Sequence, residues 1–200
     1  MISEKTLKHA TWLENVALRC ILSEYYFELT TGHEGKFWPI VQNSLGEGVC
    51  VLWAHVFGNR KDDLHYKKFF SLSEVTRVGE EFQAEKVKQR ILNKIGMSEE
   101  EYRAFWQEVK DCRDQFVAHK QIEAEGLTFP HIHFCREMME EIRLVLELLF
   151  KKWKKLDPSD NEAENWVEYY AWNPNRKLKT QSEEAFSSEI RGLAGTIANK

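Results

Sequence analysis

Along the 200-residue chain, apolar positions recur mostly three and four apart, the spacing of a helix face. No run of strict alternation bounded by turn residues occurs, so the pattern predicts an all-α protein. Ser3 is placed to cap a first helix with Glu4 in its first turn, and the TGHEG stretch ends it near Thr31. Leu13, Val16, Ala17, Cys20, Ile21 and Phe27 form its apolar stripe. A second helix is predicted from about Pro39 to Phe57, with Gly46 and Gly48 in its interior. Each glycine costs about 1 kcal/mol against alanine there, which implies a close-packed neighbour or a local break. GNRKDD, residues 58–63, reads as a polar loop, and a short helical piece around Lys67–Phe70 and the SLSEV stretch follow. A charged helix over Glu80–Ile95 closes on Gly96, a residue suited to a left-handed cap. Ser98 to Glu101 reads as a capping box opening a helix that carries Tyr102, Phe105, Trp106, Val109, Cys112 and Phe116. After EAEGLTFP, a last long helix spans about His131–Leu156, with Met138, Met139, Ile142, Val145, Leu146, Leu149 and Trp153 on one side.

From Asp157 the composition changes, dividing the chain into a bundle of four to five main helices, 1–156, and a C-terminal extension, 157–200. In the extension, DPSDNEAEN reads as a polar linker, WVEYYAW as an aromatic segment, NPNRKLKT as a break and the end as one weak helix. Trp166, Tyr169, Tyr170 and Trp172 would dock it on the bundle or on a second chain. With 30% charged residues and a mean hydropathy of −0.54, the composition is that of a water-soluble protein. No apolar run is long enough to span a membrane, and the charged N-terminal stretch has no apolar core of a secretion signal. Cys20, Cys50, Cys112 and Cys135 lie far apart without a CxxC pair, which points to reduced, buried thiols in a cytoplasmic protein. A net charge of −4 gives no global attraction for nucleic acid, so any polyanion must be held by a local patch.

The segment Lys110-Asp111-Cys112-Arg113-Asp114-Gln115-Phe116-Val117-Ala118-His119-Lys120 carries the candidate chemistry. A neutral imidazole at His119 can take the proton of a ribose 2′-hydroxyl, since its ordinary pKa lies near neutrality. The Arg113 guanidinium can hold two phosphate oxygens and stabilise charge building on phosphorus. Asp114 can orient either group, and Lys110 and Lys120 can hold the strand. No metal or other cofactor is required by this scheme. On an ideal helix, however, six residues leave two side chains about 120° apart in direction and about 9 Å apart along the axis. Either the helix loosens before His119, or two copies of the motif meet across a twofold axis; the second is preferred here. The plainer reading is that Arg and His complement the dipole at a helix C-terminus.

The string RDQFVAHK resembles the R-x(4–6)-H signature of HEPN-domain proteins, in the form typical of the abortive-infection HEPN-like branch. The upstream stretch VCVLWAHVFGNRKDDLHYKKFF resembles that branch too, with Tyr66 standing where tryptophan is expected. The resemblance covers about residues 10–155. It implies a helical, commonly dimeric fold and, in many members, metal-independent ribonuclease activity in toxin–antitoxin, abortive-infection or other anti-phage systems. Carried over, Arg113 and His119 would be the catalytic pair and Asp114 the polar residue after the arginine. RNA, a second copy of the chain and a neutralising or effector protein would be the partners. Other members have lost activity and bind nucleotides or proteins, which sets the alternative of a non-catalytic module.

His131 and His133 point about 200° apart on a helix and so do not share a metal ion; no ligand spacing for zinc occurs elsewhere. His33, His55 and His65 read as surface or hydrogen-bonded histidines. Lys151-Lys152-Trp153-Lys154-Lys155 reads as helix-end lysines around a core tryptophan, with a phosphate patch as the alternative, and Arg176, Lys177 and Lys179 carry the same ambiguity. No Walker loop, GxGxxG or GxSxG is present.

Overall fold

Helix α1, Glu4–Thr30, begins where the Ser3 hydroxyl accepts the Thr6 N–H at 3.3 Å. Its Leu13, Ala17 and Cys20 are fully buried and face α2, Phe37–Trp53, and α7, His133–Leu156. The structure is a computed structural model that describes residues 2–33, 35, 37–119 and 129–171, with the side chains at 116–119 and 170–171 outside that set. Between these helices lie α3, Tyr66–Phe69, α4, Ser73–Val78, α5, Ala84–Ile95, and α6, Glu99–His119; α8, Asn161–Ala171, follows α7. The protein is all-α, with no strand among the described residues. No helix among them is long and apolar enough to cross a membrane.

The core is organised around α7, which packs against α1, α2, α4, α5 and α8. Met138, Met139, Ile142, Val145, Leu146 and Leu149 are fully buried, the stripe that the heptad-like spacing marks out. Inside the α1–α7 contact, Arg143 Nε donates to Glu14 Oε1 at 2.6 Å, with side chains only 2% and 4% exposed. The Tyr169 hydroxyl of α8 donates to the same carboxylate at 3.2 Å.

Three stretches differ from the pattern-based reading. The second helix keeps its α geometry only to Trp53 and widens into a π turn over Ala54–Gly58. The charged helix is split: Glu80–Phe82 form a 3₁₀ turn and Gln83 is extended before α5 starts. On one continuous helix Phe82 would lie about 140° from Val87; the break lets both be buried. Residues 161–171, read as linker and aromatic segment, form α8, because Asp160 Oδ1 accepts the N–H groups of Glu162 and Ala163, both at 3.1 Å. Trp166 then stacks on Phe150 with ring centroids 4.5 Å apart. Tyr170's side chain and Trp172 lie outside the described residues.

The two glycines of α2 divide. A Cβ on Gly46 would come within 2.5 Å of the Phe129 ring, whereas one on Gly48 would meet only the Ser23 hydroxyl at 3.8 Å. Gly48→Ala is therefore expected to stabilise the protein by about 0.5–1 kcal/mol, and Gly46→Ala to be the less stable of the two by about 1–3 kcal/mol in urea unfolding. Glu14→Gln or Arg143→Met alone leaves one buried charge without its counter-charge and is expected to cost about 3–5 kcal/mol. A double-mutant cycle should show the paired substitution costing less than the sum of the two.

Candidate functional site

Helix α6 starts at the capping box foreseen from its sequence: the Glu101 carboxylate accepts the Ser98 N–H at 2.7 Å and Ser98 Oγ accepts the Glu101 N–H at 3.2 Å. Phe105, Val109 and Cys112 bury one side of α6. Arg103, Trp106, Lys110 and Arg113, at successive spacings of three, four and three, share another. The Trp106 indole N–H donates to the Phe57 carbonyl at 2.8 Å, an acceptor at the end of the π turn. That bond clamps α6 to the widened end of the second helix. Cys50 and Cys112 meet beneath it, Sγ to Sγ 3.6 Å. All four cysteines are buried free thiols, and burial pushes Cys20 and Cys135 up from the ordinary thiol range.

Arg113 lies at the edge of this clamp, its Nη1 3.8 Å from where a Gly58 Cβ would stand. Its Nε and Nη2 both donate to Asp114 Oδ1, at 2.8 and 2.5 Å, and its side chain is 27% exposed. Asp114 thus fixes the guanidinium side-on and leaves Nη1 outside that contact. Lys110 Nζ sits over the Trp106 ring, 5.5 Å from its centroid. Helix α6 continues in regular α geometry through His119, its last residue, so a loosened turn does not bring Arg113 and His119 together. The His119 side chain and Lys120 lie outside the described residues.

Beside Arg113 the structure opens a cavity of about 320 Å³, lined by Gly58, Arg60, His65, Lys67, Lys88 and Arg103 together with aromatic side chains. Two short side-chain turns fix the loop that leads into it: Asn59 Oδ1 accepts the Lys61 N–H at 2.9 Å, and Asp62 Oδ1 accepts that of Leu64 at 3.0 Å. His65 caps α3, its Nδ1 accepting the Lys67 N–H at 3.2 Å. This requires a neutral ring with its proton on Nε2. Burial, with Lys67 and Arg60 adding to it, depresses the His65 pKa to about 4. Lys67 is ion-paired to Glu85, and Lys88 to Glu99. On the other flank of α6 a hollow of about 390 Å³ carries Glu108, Asp111 and His131, a lining of the wrong sign for phosphate.

The remaining sequence candidates have partners of other kinds. His131 and His133 pack with Phe134, and no group of three metal-ligating side chains occurs among the described residues. His55 Nδ1 lies 2.9 Å from Asp62 Oδ2, and the His33 ring lies against Trp38. In the lysine run, Lys151, Lys152 and Lys154 pair with Glu147, Glu81 and Glu164 around a buried Trp153. Arg176, Lys177 and Lys179 lie outside the described residues. Arg60, Lys67, Lys88 and Arg103 were not singled out from the sequence. Only the Arg103–Trp106–Lys110–Arg113 periodicity could have pointed to the stripe; the loop cations join it through tertiary packing.

Compared with known proteins, the chain matches no family model, no curated protein and no solved structure.

The folded pKa of His65 lies below its unfolded value, so between those values the unfolded chain binds more protons than the native one. Stability contributed by the neutral ring is fully present above about pH 6.5 and is lost as pH falls towards 4. His65→Asn keeps a capping acceptor and removes the titration, so its unfolding free energy should fall less steeply than wild type from pH 6.5 to 4. In native protein the His65 NMR titration midpoint should lie near 4.

Proposed function

We propose that the chain is a HEPN-like, metal-independent endoribonuclease acting in phage defence or as a toxin in the cytoplasm. The observation that carries this reading is the cationic, aromatic stripe Arg103–Trp106–Lys110–Arg113 on one face of α6, running toward the helix end that bears His119. Cations three and four apart can track a phosphate backbone, and Trp106 among them anchors the stripe to the end of the second helix. In the reaction, one His119 imidazole takes the 2′-hydroxyl proton and the 2′-oxygen attacks phosphorus. The P–O5′ bond breaks, and the leaving oxygen takes a proton from the imidazolium of the second copy. The products are a 2′,3′-cyclic phosphate and a 5′-hydroxyl end. Arg113, steadied by Asp114, stabilises the negative charge that builds on the phosphoryl oxygens. Lys110 and Lys120 hold the strand on either side.

The unbroken helix between Arg113 and His119 supports the dimeric form of this reading, because one chain leaves the two positions about 120° apart. An isologous pair brings Arg113 of one copy to His119 of the other. A neutralising or effector protein would cover the same face. The second reading, a non-catalytic HEPN-like module binding a nucleotide or a protein, is favoured by the two Arg113 N–H groups already engaged with Asp114.

Purified protein incubated with bulk RNA and excess chelator is expected to yield fragments with 2′,3′-cyclic phosphate ends. Arg113→Ala and His119→Ala should each lower the cleavage rate at least about 100-fold, with unchanged circular dichroism and unchanged oligomeric state. Intact RNA with the wild-type protein, or cleavage indifferent to both substitutions, refutes the nuclease and leaves the binding module.

A further inference from the structure

The cavity between the 59–66 loop, α5 and α6 is a cationic pocket in an acidic protein. Arg60, Lys67, Lys88 and Arg103 line it and, among the described residues, no Asp or Glu does, although the whole chain carries a net charge of −4. Lys67 and Lys88 each have one carboxylate partner at the rim. Neither Arg60 nor Arg103 forms a close ion pair among the described residues, although the Glu85 carboxylate acts on Arg60 as well as on Lys67 and Lys88. After the two ion pairs are counted, the lining retains the positive charge of two arginines.

The other polar groups of the wall are donors as well. Burial pushes the Tyr66 and Tyr102 hydroxyls up from the ordinary phenol range, so both keep their protons at neutral pH. The His65 ring is neutral, with Nε2–H as its donor. A wall of donors with two guanidinium groups outside any close ion pair suits a ligand with at least two negative charges and several acceptor oxygens.

The rings do not form an open stacking slot, because ammonium groups lie over them: Lys88 Nζ over Tyr102 at 5.9 Å and Lys110 Nζ over Trp106 at 5.5 Å. This selects a compact anion over a planar one. A cavity of about 320 Å³ is roomy enough for more than one phosphoryl group.

We propose that this cavity is a binding site for a condensed phosphate, a diphosphate or triphosphate group, clasped by Arg60 and Arg103 with the Lys67 and Lys88 ammonium groups beside it. It is distinct from the Arg113–His119 motif and does not depend on nuclease activity. The group can arrive as an inorganic chain, on a free nucleotide or on the 5′ end of an RNA.

Isothermal titration of the full chain without metal, using tripolyphosphate, ATP, and one short RNA bearing either a 5′-triphosphate or a 5′-hydroxyl, tests it. Saturable binding of tripolyphosphate is expected, weakened at least about 10-fold by Arg60→Ala or by Arg103→Ala and partly restored by the lysine variants. Lys155→Ala, at an exposed cation outside both sites, should leave that binding unchanged, and because the readout is binding rather than cleavage, failure here is distinguishable from failure of the proposed nuclease. Tighter binding of ATP or of the 5′-triphosphate RNA names the natural carrier and supports the site. Both arginines are exposed, so the melting temperature of the variants should match wild type. No saturable binding of any triphosphate, or binding indifferent to both arginines, overturns the proposal; equal binding of the two RNAs rules out the RNA 5′ end as carrier and leaves an inorganic chain or a nucleotide.

Discussion

A carboxylate and a guanidinium sealed between α1 and α7 set the constraint on which the bundle rests. Glu14 and Arg143 are almost without solvent, so each depends on the other and on the groups around it to replace lost hydration. That requirement fixes the sliding position of α1 along α7, since a shift by one residue would turn the two charges away from each other. It also reaches α8, whose Tyr169 hydroxyl approaches the same carboxylate. The apolar side chains of α7 supply most of the driving force, but apolar packing alone tolerates small slips. The buried charges do not.

The functional face inherits its geometry from a second clamp. The π turn at the end of α2 leaves the Phe57 carbonyl toward α6, where the Trp106 indole satisfies it. The bond holds the cationic stripe of α6 against Gly58 and the loop that follows. Asn59 and Asp62 then bind their own backbone and give that loop one shape, so Arg60 and His65 reach the cavity from rigid supports. Charges that would disperse on a mobile loop are gathered on a single wall.

Where the rules are local, the sequence is legible. Ser3, Gly96 and the Ser98–Glu101 pair mark helix ends through backbone groups one turn away, and each sits at the expected boundary. Gly46 and Gly48 read alike, as close packing or a local break; only Gly46 proves a close approach, to Phe129 far along the chain, while Gly48 has room. The π turn was not visible, because Trp53, Ala54, Val56 and Phe57 are all buried and the single polar residue among them, His55, sets no period that tells a wide turn from an ordinary one. Asp160 signalled the start of α8, but the surrounding polar residues concealed it within an apparent linker. At the candidate site, Arg113 and Lys110 stood out through a motif. Arg60, Lys67 and Lys88 come from three different segments, and no spacing in one dimension records their meeting.

The π turn carries a further consequence for how this chain can change over time. A wide turn absorbs one surplus residue within a helix, so the flanking residues keep their phase while the carbonyls of the turn itself are displaced. Removing a single residue between positions 54 and 58 would let the helix close to ordinary geometry and shorten the path from α2 to the following loop by one residue. The Phe57 carbonyl would then shift away from the Trp106 indole that now satisfies it. Descendants of this sequence can therefore trade side chains along the turn far more readily than they can shorten it.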